Sequence, residues 1–188
     1  MLTTTTLIVA ALVAFAQDGT KVPAQDTPSV IPATPLVAPK VAPKQEELPP
    51  PTPLGIGDAA PAFLVDEWVK GESFETLEKG KVHVLEFWAT WCPPCRSSIP
   101  HLNEIYAKYK DKGLQIVGIT DEDRAKIKKF EKEVPIEYAV GLDANGKYAK
   151  PFGIQGIPHA VLVDKTGKVV WEGHPMSLKE SQIEELLK

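Results

Sequence analysis

Residues 82–95 read VHVLEFWATWCPPC, and this stretch decides how the rest of the chain is interpreted. Val82–Trp88 is a nearly continuous run of β-prone residues, which is typical of a strand covered on both faces of its sheet. After the two cysteines, apolar residues recur at helical spacing and predict a helix from about Pro93 to Lys110. Its predicted inward-facing residues are Ile99, Leu102, Ile105, Tyr106 and Tyr109. The stretch therefore predicts a buried strand that leads into a helix, with the cysteines at the junction.

Strands and helices alternate in the remaining sequence. Further strands are predicted at Ala62–Val65, Leu114–Thr120, Ala160–Val163 and Lys168–Trp171. The last two flank a turn sequence at residues 164–167, which indicates a hairpin. The order predicts an α/β fold in which a parallel βαβ unit is extended by an antiparallel hairpin.

Two further helices are predicted in the C-terminal half. One follows the acidic residues 121–123, which we interpret as a solvated helix start rather than a metal site, and it turns Ile127, Phe130 and Val134 inward. The other spans Ser177–Lys188 and begins with a capping box of Ser177 and Glu180.

The spacing Cys92-Pro93-Pro94-Cys95 at the start of a helix indicates redox chemistry. A helix N-terminus carries unpaired N–H groups and partial positive charge, which stabilise a thiolate. Cys92, at an exposed turn, would be the attacking thiolate, and Cys95, one helical turn further, would resolve the mixed disulfide. The alternatives are a permanent structural disulfide, which closes a loop too small to stabilise much, and half of a haem or zinc site. Haem attachment requires a histidine after the second cysteine, where this chain has Arg96.

The composition excludes several other classes. The 25 acidic and 21 basic residues leave a net charge of −4, which gives no reason to expect a nucleic-acid partner. Two cysteines are too few for a disulfide-stapled scaffold or for a zinc site made of cysteines alone. We expect no metal and no cofactor.

The first 53 residues differ in composition from the rest. Residues 7–16, LIVAALVAFA, are too short for a membrane span but suit the apolar part of a signal peptide at residues 1–16, or an uncleaved anchor. Residues 17–53 hold ten of the 18 prolines, which predicts a disordered, extended linker. Residues 54–188 remain, which is the size of one ordinary domain.

The sequence resembles the thioredoxin superfamily, and within it the TlpA/ResA-like extracytoplasmic thiol–disulfide oxidoreductases. Three stretches carry the resemblance: residues 57–63 (GDAAPAF), 87–95 (FWATWCPPC) and 156–158 (GIP). The resemblance implies a thioredoxin-like three-layer sandwich, with a mixed central sheet flanked by helices, over residues 54–188.

The resemblance also implies roles for residues around the cysteines. Pro158 would be a cis-proline facing Cys92 that leaves the backbone of Ile157 free to pair with an extended substrate; the alternative is an ordinary trans proline. Trp91, with Pro93 and Pro94, would contact the substrate. His159 would tune the Cys92 thiolate, unless its imidazole is satisfied on the surface or within the strand.

Glu86 interrupts the apolar strand six residues before Cys92, at a position where thioredoxins carry a buried acid. Burial would raise its pKa, so that it exchanges a proton with Cys95 directly or through water. The alternative is an acid at the strand edge that points to solvent. Many TlpA-like proteins carry an amide at this position and a glutamate three residues after the second cysteine, where this chain has Ser98.

The sequence thus predicts an exported enzyme that reduces or exchanges disulfides in partner proteins through a mixed disulfide. Its expected partners are protein disulfides or dithiols and a membrane-bound or soluble thiol electron donor. We expect a monomer, periplasmic or secreted, that contacts the membrane only through an uncleaved anchor. The alternatives are a thioredoxin-like copper-binding chaperone, since thiolates bind Cu(I), and a thiol peroxidase.

Overall fold

A computed structural model describes residues 52–62, 65–71, 73 and 76–188. The signal segment, residues 17–51 of the predicted linker, and two residues of the predicted strand Ala62–Val65 lie outside the described residues. The described strands are β1 (Glu67–Lys70), β2 (Val82–Phe87), β3 (Leu114–Thr120), β4 (Ala139–Leu142), β5 (His159–Val163) and β6 (Val169–Gly173). The α-helices are α1 (Pro93–Tyr109), α2 (Arg124–Phe130) and α3 (Glu180–Leu187).

The six strands form one mixed sheet in the order β1-β4-β3-β2-β5-β6. The strand β2 is parallel to β3, and β3 is parallel to β4, whereas β1, β5 and β6 each run antiparallel to a neighbour. This confirms the predicted parallel βαβ unit and the antiparallel hairpin. At the hairpin, Thr166 and Lys168 donate backbone N–H bonds to the carboxylate of Asp164, which closes the turn.

The two faces of the sheet are covered differently. All three α-helices pack on one face, where Ile99, Ile127 and Ile183 are fully buried against Val84 and Ile116. On the other face the 3₁₀ turn Lys150–Phe152 contributes Phe152, which packs with Leu85, Val117 and Val161. Neighbouring residues of β2 point to opposite faces and are buried on both, as the apolar run predicts.

The sequence does not predict the two shortest strands, β1 and β4. Each has four residues, and they pair with each other antiparallel at one edge of the sheet. The described residues Ala62 and Val65 are not in a strand; upstream of β1, Ala59 forms an isolated bridge with Lys168 beside β6. These short segments become strands because of their tertiary partners, which local sequence does not reveal.

The predicted helix boundaries need two corrections. Helix α3 begins at Glu180 rather than at Ser177, because residues 175–177 form a 3₁₀ turn. The predicted capping box of Ser177 and Glu180 is therefore wrong; Glu180 instead accepts a hydrogen bond of 2.7 Å from the Tyr109 hydroxyl. Helix α2 ends at Phe130, so Val134 lies beyond it, although its side chain still packs against the core.

Gly118 provides the space that the core around β2 needs. It lies beside Glu86 in the paired strands, and a Cβ atom there would be 2.7 Å from Trp88 Nε1 and 3.2 Å from Tyr138 Cε2. Both rings are almost fully buried, so neither can move aside without disturbing the packing of its neighbours.

We therefore expect Gly118→Ala to lower the free energy of unfolding by about 1–3 kcal/mol. Urea denaturation measures the change. A Cβ atom added at the exposed Gly156 would meet no other atom within 4 Å, so Gly156→Ala is the control and should stay within about 0.5 kcal/mol of the parent. Equal stability of the two variants would show that the core tolerates the extra methyl group.

Candidate active site

The two cysteines lie at the N-terminus of α1 and form a disulfide. Cys92 is the N-cap residue, and the backbone N–H of Cys95 points at Cys92 Sγ from 3.3 Å. Pro93 and Pro94 occupy the first two positions of the helix, where a missing N–H costs nothing. The helix therefore directs an N–H group and its positive end at the sulfur that would carry negative charge.

The cysteines are less accessible than the sequence predicts. Cys92 is only 3% exposed and Cys95 is fully buried in this disulfide form, whereas the sequence predicts Cys92 at an exposed turn. The neighbouring Trp91 is 66% exposed. The surface next to the disulfide is thus a large aromatic side chain, which suits the predicted role of Trp91 in substrate contact.

The Ile157–Pro158 segment lies against the disulfide, as the resemblance implies. Its peptide bond is cis, and the Ile157 carbonyl oxygen is 3.7 Å from Cys92 Sγ. Pro158 is buried and leads directly into β5, which pairs with β2. The loop before β5 therefore brings Ile157 next to the first cysteine.

His159 contacts a residue of the neighbouring strand. Its Nε2 is 3.7 Å from a carboxylate oxygen of Glu172 on β6, and the side chain is partly buried. The strand β5 turns His159 to the same face as Val161, away from the face on which α1 packs. Nε2 is buried and has no hydrogen-bond partner within the described part of the chain, so the alternative of a satisfied imidazole is not met, and the role of His159 in tuning Cys92 stays a prediction.

Glu86 is fully buried in the centre of the sheet, so it is not an edge acid that points to solvent. Tyr138 donates a hydrogen bond of 2.7 Å to Oε2, and the Ser98 hydroxyl lies 3.2 Å from Oε1. Burial raises the pKa of Glu86 to about 7, although the hydrogen bonds from Tyr138 and Ser98 act in the opposite direction. Glu86 therefore changes protonation near neutral pH.

Ser98 connects Glu86 to the second cysteine. Its hydroxyl donates a hydrogen bond of 2.8 Å to the Cys95 carbonyl oxygen. A hydroxyl has a single proton, so it cannot fully satisfy both Cys95 and an ionised Glu86. The Ser98 hydroxyl is thus shared between the Cys95 carbonyl oxygen and the Glu86 carboxyl group.

Glu122 holds the loop that precedes Cys92. The carboxylate is almost buried and accepts hydrogen bonds from the Thr90 backbone N–H at 2.5 Å and from the Thr90 hydroxyl at 2.9 Å. It also pairs with Lys126. The interpretation of residues 121–123 as a solvated helix start is thus wrong for Glu122, although Asp123 does cap α2. Within the described residues, no group of three or more His, Cys, Asp or Glu is arranged to hold a metal ion.

Sequence reasoning missed Tyr138 and Glu122 as parts of this site. Tyr138 lies 52 positions from Glu86, and no local signal connects the two. Glu122 carried a usable signal, because it follows the end of β3, which is parallel to β2. Parallel neighbouring strands end at the same edge of the sheet, so a side chain after β3 reaches the loop after β2.

Comparisons with known proteins agree with this geometry. The Redoxin family model matches residues 56–187. The thiol-disulfide oxidoreductase ResA of Bacillus thuringiensis subsp. konkukian is 40% identical over 135 residues, covering 71% of this chain and 77% of the relative.

Solved structures show the same similarity. A Chlorobium tepidum protein described as a candidate thiol:disulfide interchange protein DsbE has a TM-score of 0.62 at 34% identity and covers 72% of this chain and 99% of its own. The thioredoxin domain of a thiol-disulfide oxidoreductase from Bacteroides vulgatus has a TM-score of 0.61 at 30% identity, with coverage of 72% and 99%.

The buried carboxyl of Glu86 has a measurable cost in stability. A pKa raised from 4.5 to about 7 stabilises the fold most at low pH, and this contribution is lost as the pH rises through 7. Gln has the shape and hydrogen bonds of the protonated acid but no charge. We expect Glu86→Gln to be more stable than the parent by about 3 kcal/mol at pH 8 and equally stable near pH 4.5.

Urea denaturation of the disulfide form across this pH range measures the difference. Burial lowers the pKa of His83, so both proteins should lose stability as the pH falls below 6.5. This loss cancels in the comparison of parent and variant. A stability difference that does not change with pH would contradict the assignment of the raised pKa to Glu86.

Proposed function

The chain belongs to the Redoxin family and is a thioredoxin-like thiol–disulfide oxidoreductase, and from this premise we propose that it reduces disulfides in exported partner proteins. The observation that carries the proposal is the Cys92–Cys95 pair at the N-terminus of α1, with an N–H group directed at Cys92 Sγ. In this arrangement Cys92 is the nucleophile, and Cys95 resolves the mixed disulfide that Cys92 forms.

In the first step, the Cys92 thiolate attacks one sulfur of the partner's disulfide, and the other sulfur leaves as a thiolate. Cys95 then loses its proton and attacks Cys92 Sγ in the mixed disulfide. The second partner sulfur leaves as a thiolate, and the Cys92–Cys95 disulfide forms. Two electrons have passed to the partner, and a thiol electron donor must return them to the enzyme.

Glu86 takes the proton from Cys95 in the second step. Its pKa of about 7 matches this task, because a general base works best when its pKa is near the ambient pH. Ser98 is a positioning residue, since it contacts both the Glu86 carboxyl and the Cys95 backbone. In this chain Ser98 stands at the position where similar proteins carry a helix glutamate, and the buried acid on β2 would move the proton instead.

The residues between the cysteines favour reduction over oxidation of partners. Pro93 and Pro94 have no side-chain donor that would stabilise the Cys92 thiolate further. A dithiol protein whose reduced form is strongly stabilised acts as an oxidant. Because no side chain between the cysteines adds such stabilisation here, the protein favours reduction of its partners.

Export is supported by the apolar residues 7–16, which suit a signal peptide or an uncleaved anchor. The composition of the proline-rich residues that follow suits a spacer before the catalytic domain. Among the described residues, no helix is both long and apolar enough to cross a bilayer.

Two cysteine variants test the order of attack. We expect Cys95→Ser to accumulate a mixed disulfide with a model protein disulfide such as insulin, because Cys92 attacks but nothing resolves the product. Cys92→Ala should reduce insulin no faster than free thiol alone. Non-reducing electrophoresis and insulin turbidity measure the two effects. A Cys92→Ala protein that keeps its turnover, or a Cys95→Ser protein without an adduct, would contradict the assignment.

The proton role of Glu86 predicts a pH profile. The rate at which Cys95 resolves a mixed disulfide should rise with an inflection near pH 7, and Glu86→Gln should lower this rate at least about tenfold and remove the inflection. Ser98→Ala removes a hydrogen bond that lowers the pKa of Glu86, so the inflection should move to higher pH.

Ser98→Thr keeps the hydroxyl and is the matched control, which should restore the parent profile. The decay of a preformed mixed disulfide in a single turnover measures the resolution rate of the parent, Glu86→Gln, Ser98→Ala and Ser98→Thr. An inflection near pH 7 that persists in Glu86→Gln would show that another group moves the proton.

A further inference from the structure

A groove of about 330 Å³ opens beside the reacting sulfur. Its lining includes Trp91 and Ile157 and the almost fully buried Phe87 and Ile119. The Ile157 carbonyl oxygen is 3.7 Å from Cys92 Sγ, so the part of the groove at Ile157 lies next to the reacting sulfur. The volume is at the lower end of the range for binding pockets, about 300–1,000 Å³, which suits a short piece of polypeptide.

The charged side chains that line the groove are acidic. They are Asp121 and Asp143, and among the described residues that line it none is Lys, Arg or His. Asp121 is exposed, so its charge stands at the rim. Ile154 and Trp91 add apolar surface to the same lining.

Asp143 adds a second, independent observation. It is only 2% exposed, and its Oδ2 accepts backbone N–H bonds of 3.1 Å from Tyr148 and 3.0 Å from Ala149. Its other oxygen, Oδ1, is buried and has no hydrogen-bond partner within the described part of the chain. A carboxylate oxygen in a low-dielectric site without a partner attracts a cation more strongly than a solvated one does.

We propose that this groove binds the residues next to the substrate's cysteine and prefers a lysine or arginine among them. The inference rests on the proposed function, because the substrate cysteine must reach Cys92. The aliphatic stem of a basic side chain would lie on Trp91 and Ile154 while its charged end approaches the exposed Asp121, and the buried charge of Asp143 would add to the attraction. The same charges disfavour acidic peptides and anionic small disulfides such as oxidised glutathione.

The test uses the reduced full-length chain and three disulfide-linked peptides that differ only beside the reacting cysteine, with Lys, Leu or Glu at that position. We expect kcat/KM to fall in the order Lys, Leu, Glu, with about a tenfold difference between Lys and Glu at low ionic strength. Oxidised glutathione should react more slowly than the Leu peptide. High salt should reduce all of these differences because it screens the charges.

Two groove variants and one control locate the effect. Asp121→Asn and Asp143→Asn should each reduce the preference for the Lys peptide over the Glu peptide about threefold. Asp111→Asn makes the same change in charge at the exposed far end of α1 and should leave the preference unchanged. Should Asp143→Asn fail to fold, Asp121→Asn alone decides, since its side chain lies at the exposed rim.

The outcomes separate the two proposals. Turnover of all three peptides with equal kcat/KM, or a preference that Asp121→Asn leaves intact, overturns the groove inference and leaves the disulfide reductase standing. A preference that also falls in Asp111→Asn reflects overall charge and likewise overturns the inference. Absence of Cys92-dependent turnover with every peptide overturns both.

Discussion

A carboxyl group buried in the middle of the sheet imposes the main constraint on this structure. Glu86 is inaccessible to solvent, so its oxygens need protein partners. Tyr138 and Ser98 supply them from two different elements, the segment before β4 and helix α1. Gly118 keeps the space in which the Tyr138 ring can lie next to β2. The core on the helix side of the sheet is thus arranged around one polar side chain.

The same constraint connects the core to the chemistry. The two cysteines begin helix α1, and Ser98 on that helix contacts both the backbone of Cys95 and the Glu86 carboxyl. On the other side, Glu122 fixes Thr90 in the loop that leads to Cys92. The reacting sulfurs are therefore held from the sheet, the helix and the loop after β3. Such fixed geometry lowers the cost of bringing an attacking sulfur into line with its target.

Most of the fold was predictable because its signals are local. The apolar run of β2, the helical spacing in α1 and the turn at residues 164–167 each depend on neighbours in sequence, and the structure confirms them. The strands β1 and β4 were missed because four residues without a clear pattern become strands only through their pairing. The start of α3 was misplaced because residues 175–177 form a 3₁₀ turn and the backbone N–H of Lys179, not Ser177, is capped by the Gln182 side chain.

By itself, the sequence determined the chemical class. Spacing and residue type alone reveal two cysteines three positions apart at the start of a helix, and they also reveal the preceding buried strand with its acidic residue. Tertiary structure alone decided which partners surround the residues that the sequence singled out. It buried Glu86 with Tyr138, turned Glu122 onto Thr90 and placed Asp121 and Asp143 along one groove beside Cys92. The physical reason is that pKa values and binding preferences depend on burial and on charges brought together from distant positions, which only packing arranges.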